Sequence, residues 1–271
     1  MQFTRILMFS MLLALVGCSE APAPASAQSS DESAAAPAMP SASLYADAVA
    51  STGRTDADRM RDAGRKPAEV LKFFGIAPGM TVLDMFSGGG YYTEMLSYIV
   101  GPAGRVVAHT NSAYAGFVGD EAVNRYADNR LANVENLLAE NNELRLPVAE
   151  FDAVMLVLAY HDIYYVDAAN GWPKIEGPAF LAELKKGLKP GGILAVVDHH
   201  AAAGSPRETG GSLHRIDPQI VISELEAEGF VLEAKSEVLR NMDDDYSKGM
   251  FDPEVRGKTD RFVLKFRKPE E

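Results

Sequence analysis

Residues 81–96, TVLDMFSGGGYYTEML, constrain the fold of this chain more than any other stretch. An apolar run (Val82, Leu83, Met85, Phe86), interrupted only by Asp84, meets Gly88, Gly89 and Gly90 and passes at once into a helical pattern over residues 91–100. A strand, a tight turn and a helix start are expected. Glycines permit positive φ and let a ligand approach the backbone, and a helix N-terminus presents unpaired N–H groups. The turn is suited to hold a ligand, although the same glycines also serve as a plain compact turn. Neither the dinucleotide loop G-x-G-x-x-G nor the phosphate loop G-x-x-x-x-G-K-[ST] is present in this stretch.

Asp84 followed by glycine four and six residues later resembles the first motif of class I S-adenosylmethionine-dependent methyltransferases, V-L-D-x-G-x-G-x-G. In that resemblance Asp84 takes the acidic position, Gly88 and Gly90 the second and third glycines, and Phe86 stands where the first glycine belongs. A second likeness lies at Leu188-Lys189-Pro190-Gly191-Gly192, an L-K-P-G-G turn between an amphipathic helix and an apolar strand. The likeness covers about residues 64–269. It implies an α/β fold: a Rossmann-like, seven-stranded, mostly parallel sheet with an antiparallel final strand and helices on both faces. Within the superfamily, GRKPAEVL, GGGYYTE, YHD and KTDRFVLKFRKP are similar to a family of predicted methyltransferases of the bacterial envelope.

Read in order, the chain begins with Arg5 and a largely apolar run over residues 6–16, ending Leu15-Val16-Gly17-Cys18. This reads as a lipoprotein signal over residues 1–17 with Cys18 as the lipidation site, since the run is too short to span a bilayer. Ser19 after it points to the outer membrane, so a periplasm-facing envelope lipoprotein is expected. Cys18 is also the one cysteine of the chain, which leaves no internal disulfide. Residues 18–43, rich in Ala, Pro and Ser, are expected to form a disordered tether, and residues 44–271 the folded domain.

Two helical pieces are expected over residues 44–74, with Pro67 at a helix start. Beyond them apolar strands alternate with amphipathic helices, which argues for a parallel sheet covered on both faces. The strands expected are residues 81–86, 105–110, 134–139, 151–159 and 192–198, then 230–239 and 261–268 as an antiparallel edge pair. A helix over residues 178–188 buries Phe180, Leu181, Leu184 and Leu188, and Asp217-Pro218 start a last helix closed by Gly229.

In open α/β sheets ligands bind beyond the carboxyl ends of the strands. The methyltransferase resemblance therefore implies cofactor contacts from Asp84, Ser87, Gly88, Gly90 and Tyr92, with Tyr91 and Tyr92 as walls. Asn111 stands in place of the ribose-binding acid, where it also fits a helix N-cap, and Glu140 is in register with the acid that reads the adenine amino group. The fourth and fifth strands deliver Tyr160-His161-Asp162 and Asp198-His199-His200, with His214 shortly beyond. His161 and His199 are candidates for a catalytic base, with Asp162 beside them. A divalent metal held by Asp162, Asp198, His199 and His200 is the other option, as in cation-dependent O-methyltransferases. The run Asp243-Asp244-Asp245 lacks calcium-loop spacing and reads as a solvated turn.

The formal charge of −12, with 38 acidic against 26 basic residues, becomes −13 once residues 1–17, whose one charge is Arg5, are removed. An acidic surface disfavours nucleic acid as substrate. A small-molecule methyl acceptor with S-adenosylmethionine as cofactor is the leading expectation, and the membrane is engaged through the lipid anchor alone. The alternative is an envelope lipoprotein that keeps the fold without methylating, either a metal-dependent enzyme using the His/Asp rim or a ligand-binding lipoprotein, since the cofactor is made in the cytosol. Replacing Cys18 by Ser should release the protein into the soluble periplasmic fraction; retention of Cys18→Ser in the membrane fraction would remove the anchor.

Overall fold

The computed structural model describes residues 41–270, so the signal, Cys18 and all but the last residues of the tether lie outside the described residues. The order of elements is α1 (Ala42–Ala50), α2 (Asp56–Arg65), α3 (Pro67–Phe74), β1 (Thr81–Met85), α4 (Tyr91–Val100), β2 (Arg105–Thr110), α5 (Ser112–Val118) and α6 (Glu121–Tyr126). Then come β3 (Val134–Leu138), β4 (Phe151–Val157), α7 (Gly177–Gly187), β5 (Leu188–His199), α8 (Thr209–Leu213), α9 (Pro218–Ala227), β6 (Val231–Ser236) and β7 (Arg261–Arg267). Among the described residues no helix is long and apolar enough to cross a membrane.

One sheet of seven strands, ordered β3-β2-β1-β4-β5-β7-β6, organises these elements. The first five strands pair in parallel, and β7 lies antiparallel between β5 and the edge strand β6. Successive strand residues point to opposite faces, and both faces are covered. Leu83, Val154, Leu156, Leu194 and Val196 pack with Phe180, Leu181 and Leu184 of α7 and Val221 and Leu225 of α9. Their neighbours Val82, Ala153, Met155, Ala195 and Val197 pack with Val70, Leu71 and Phe74 of α3 and Met95, Leu96 and Ile99 of α4. Double coverage is why these strands read as apolar along their whole length. The strand order reverses between β1 and β4, which places a crevice at their carboxyl ends.

Three expectations change. The N-terminal segment forms three helices instead of two: Lys66 adopts a left-handed conformation (φ 42°) that ends α2, and Pro67 then opens α3 at its first turn. Strand β5 begins at Leu188, which leaves α7 to pair with Phe151 before the Pro-Gly-Gly excursion; the ladder resumes at Ile193 opposite Ala153.

The aspartate run is not a solvated turn throughout. Asp243 and Asp245 are exposed, but the Asp244 side chain is fully buried and holds the Arg215 guanidinium through two bonds of 2.7 and 3.0 Å. Arg215 also donates to the carbonyls of Lys248 (2.7 Å) and His200 (3.0 Å), and the Asp260 N–H donates to Asp244 at 2.6 Å. These bonds fasten the long connection before β7 onto the segment after β5. Breaking a buried ion pair from one side strands the other charge, so Asp244→Ala should cost about 3–5 kcal/mol. Asp243→Ala should change stability by less than about 0.5 kcal/mol. Urea denaturation of the two variants distinguishes them.

Candidate active site

Asp84 lies near the end of β1 with its carboxylate buried, accepting a 2.6 Å bond from the Thr93 hydroxyl in the first turn of α4. Burial raises its pKa to about 7, against the opposing bonds from Thr93. The chain then turns through Phe86, Gly88 and Gly90, all with positive φ (53°, 58° and 81°). The Ser87 N–H donates to the His109 carbonyl at 2.9 Å and the Gly90 N–H to the Ser87 carbonyl at 3.0 Å, so Ser87 holds the turn against β2 through its backbone.

Of the three glycines, Gly88 faces open space. A Cβ there would meet nothing nearer than Val118 Cγ2 at 3.9 Å. At Gly90 it would overlap Tyr126 Oη and come within 2.7 Å of Arg125 Cδ, and at Gly89 it would overlap the Glu121 carboxylate. Helix α6 therefore covers that side of the turn. It is held there by Arg125, which donates to the Gly89 carbonyl, to Asp58 of α2 (2.7 Å) and to Glu94 of α4. Arg130 adds a 2.6 Å bond to Glu94. Asp58, Glu94 and Arg125 are all buried, a network that nothing in the sequence spacing announced.

Phe86 supports the turn differently from a glycine. A left-handed conformation costs an L-residue roughly 1–2 kcal/mol, whereas burying a phenylalanine side chain returns about 1.5–3 kcal/mol. The Phe86 ring lies 5.2 Å from Tyr114, 5.5 Å from His109 and 5.8 Å from Phe180. Packing outweighs strain, so a bulky residue survives at a position that favours glycine.

Several expected cofactor contacts are otherwise engaged. Tyr91 and Tyr92 belong to the core layer of α1, α3 and α4 instead of walling the crevice. Tyr91 donates to Asp62 at 2.6 Å, with the Arg65 guanidinium 4.6 Å from its ring, and burial pushes Tyr92 up to about 12. Asn111 caps α5, its Oδ1 accepting the Tyr114 N–H at 2.8 Å. The Glu140 carboxylate accepts the Ser112 N–H at 3.1 Å, so the two residues meet at the start of α5. Beside Glu140, Asn141 Oδ1 is buried with no partner among the described residues. His109, buried at the end of β2, donates from Nε2 to the Ala139 carbonyl at 2.9 Å, and burial lowers its pKa to about 4.

Three of the four rim histidines converge. His161 and Asp162 sit in the tight turn Tyr160–Tyr164 that follows β4. The His161 ring lies 5.8 Å from His199 and 5.3 Å from His214. Its Nδ1 bonds Asp198 at 2.7 Å, while Nε2 faces Asp162 Oδ1 at 3.3 Å; His214 Nδ1 lies 3.5 Å from the same oxygen. Tyr114 donates to Asp162 Oδ2. His199 pairs through Nδ1 with the Thr259 hydroxyl at 2.7 Å, and its Nε2 is buried without a partner among the described residues.

His200 departs from this group. Pointing to the other side of β5, it bonds the Ala201 carbonyl and stacks on Tyr246 at 5.6 Å, so the expected set Asp162, Asp198, His199 and His200 does not form around one point. The two candidate bases are shifted in opposite directions. Burial alone would lower the pKa of His161, but the Asp198 and Asp162 carboxylates raise it to about 9, which leaves it protonated at neutral pH. His199 is driven well below its ordinary value, first by burial and then by the neighbouring cations, and is neutral.

The family model for protein-L-isoaspartate(D-aspartate) O-methyltransferase matches residues 34–168, just under half of the chain. A ubiquinone/menaquinone biosynthesis C-methyltransferase of Hahella chejuensis is 30% identical over 126 residues, 46% of this chain and 45% of the relative. The chain thus spans just under half the length of the curated relatives it matches. Among solved structures, an S-adenosylmethionine-dependent methyltransferase from Aquifex aeolicus superimposes with a TM-score of 0.55 at 26% identity, covering 78% of this chain and 93% of that one. The chain belongs to the class I S-adenosylmethionine-dependent methyltransferase superfamily. Phosphoethanolamine N-methyltransferase 2 of Haemonchus contortus, solved in complex with S-adenosyl-L-methionine, shares the fold at a TM-score of 0.55 and 14% identity, covering 83% of this chain and 60% of that one. The cofactor of this superfamily is S-adenosylmethionine, and the open face of Gly88, the buried Asp84 and the unpartnered Asn141 Oδ1 are the features here that fit it.

The strain at Phe86 gives an ordering opposite to the usual one. Removing a buried phenylalanine costs about 3–5 kcal/mol, but glycine at φ 53° relieves strain that alanine retains. Phe86→Gly should therefore be more stable than Phe86→Ala by about 1 kcal/mol, read from urea unfolding midpoints.

Proposed function

We propose that this protein transfers a methyl group from S-adenosylmethionine to a small molecule. The observation that carries the reading is the turn at the strand-order reversal: a buried Asp84, a left-handed Gly88 with its face open, and the N-terminus of α4 directly behind it. In this reading the Gly88 backbone receives the cofactor and Asp84 fixes the turn beneath it. Asn141 and Glu140 stand beyond β3, where an adenine amino group is met in the superfamily.

Transfer from a sulfonium is an in-line displacement that depends chiefly on holding donor and acceptor in near-attack geometry. In this reading the chain's main part is positioning, and the Asp198 and Asp162 carboxylates draw His161 toward its charged form. Acceptor chemistry is suggested by a cleft of about 360 Å³ lined by Ser112, Ala113, Gly116, Phe117, Asn170, Gly171 and Trp172. Phe117 is largely exposed there, and Trp172 stands edge-on to Tyr114, which favours an acceptor with a flat apolar face. The acidic chain argues against nucleic acid. An envelope location remains a proposal resting on residues 1–18.

One observation favours a second reading, a ligand-binding protein that no longer methylates: Glu121, Arg125 and Tyr126 cover Gly89 and Gly90. Calorimetry against S-adenosylmethionine and its demethylated product decides between them. Binding of both should be seen, and Gly88→Val should weaken it at least about tenfold, or ~1.4 kcal/mol, while circular dichroism shows the fold retained. Absence of binding by the parent protein would sink the methyltransferase reading. Gly90 is unsuitable for this test, since a side chain there collides with Arg125 and Tyr126 whatever binds.

A further inference from the structure

We propose that His161 Nε2, Asp162 Oδ1 and His214 Nδ1 form a binding site for one divalent first-row transition-metal ion. One donor atom from each of the three residues lies within 4.8 Å of the others. Both imidazoles face the same carboxylate oxygen, at 3.3 and 3.5 Å. Charge-assisted hydrogen bonds close to about 2.7–2.9 Å, as the Asp198 bond to His161 does at 2.7 Å. Donors bound about 2.0–2.2 Å from one ion at tetrahedral or right angles stand roughly 3.0–3.5 Å apart. The two longer separations match the second geometry.

Supporting contacts fix each donor in a ligating orientation. Asp198, fully buried, occupies His161 Nδ1, which directs Nε2 to the site, where a bound ion replaces the Nε2 proton and releases it to solvent, and Tyr114 occupies Asp162 Oδ2, which leaves Oδ1. A carboxylate behind a ligating histidine is the usual way proteins set its tautomer and ring orientation. His214 arrives through glycine packing. A Cβ on Gly210 would come within 2.7 Å of the His161 carbonyl, and one on Gly211 within 2.5 Å of the Tyr164 carbonyl, so α8 presses directly on the turn that carries His161 and Asp162. Next to His214, the bonds of Arg215 to Asp244 anchor the backbone.

The donor set narrows the ion. Two imidazoles and one carboxylate suit zinc, iron or nickel, whereas magnesium and calcium favour all-oxygen surroundings. Three protein ligands leave at least one position for water or an acceptor oxygen. That position is reached from the side of His214, whose side chain is 20% exposed while those of His161 and Asp162 are 1% and 8%. Tyr114 joins this site to the glycine turn: its hydroxyl bonds Asp162 and its ring lies 5.2 Å from Phe86.

The test is titration of metal-stripped full-length protein with Co²⁺, followed by visible absorption, and with Zn²⁺, followed by thermal melting. A single equivalent of Co²⁺ should give a saturable visible spectrum, and Zn²⁺ should raise the melting midpoint, reversed by chelator. His214→Asn, which tolerates the left-handed backbone at that position (φ 52°), and Asp162→Asn should each weaken uptake at least tenfold. His200→Ala should leave it unchanged. Lack of stoichiometric uptake by the parent protein, or full uptake by folded His214→Asn, overturns the site. The ion site and the cofactor turn fail separately, because calorimetry against S-adenosylmethionine on metal-stripped protein reads the turn alone.

Discussion

A single carboxylate without access to water holds the functional end of this sheet together. Asp198, at the end of β5, accepts from the His161 N–H at 2.8 Å, the His161 ring at 2.7 Å and its own neighbour's N–H, that of His199, at 2.7 Å. A buried carboxylate left alone costs several kcal/mol, so its position is stable only where donors converge. Here two of the three donors, the N–H and the ring of His161, come from the turn after β4. The demand of Asp198 for hydrogen bonds therefore fixes that turn against β5, and with it Asp162, which in turn faces Tyr114 and His214. The rim is a chain of mutual neutralisation and not a scatter of loop polarity.

The fold was readable because both faces of the sheet are covered. Strands buried on two sides are largely apolar, which is why residues 105–110 could be bounded to the residue, and the alternation of Phe262, Leu264 and Phe266 bounded β7 nearly as well. Tight-turn chemistry was readable for the same local reason, as at Pro67 and Gly229. What escaped was pairing at a distance. Asp244 and Asp243 are neighbours of the same type, yet only Asp244 meets Arg215, 29 residues away. His199 and His200 are likewise adjacent, and the two-residue period of a strand sends them to opposite sides. Arg125, Asp58 and Glu94 come from three separate helices, so no spacing could signal their meeting.

Phe86 shows how a motif can be kept in shape while altered in substance. The backbone conformation that glycine usually supplies is present, φ included, but the side chain contributes packing to the layer beneath α7. The turn is consequently stiffer than a triple-glycine version, since Tyr114, His109 and Phe180 all lean on the ring. Covering of Gly89 and Gly90 by α6 acts in the same direction. Gly88 is left as the point where backbone meets open space, which concentrates any ligand contact of the turn at one residue.

Tyr114 lies at the centre of these relations. Its ring packs on Phe86 and Trp172, and its hydroxyl donates to Asp162, so it touches the glycine turn, the edge of the cleft and the His–Asp group at once. Burial and the facing carboxylates push its pKa well up, and it stays a donor at every working pH. In the proposed reading a methyl donor at the turn and an acceptor in the cleft must meet within a few ångströms for in-line transfer. Tyr114 touches both the turn and the edge of that cleft, and its hydroxyl is held by Asp162, which faces His161, itself bonded to Asp198.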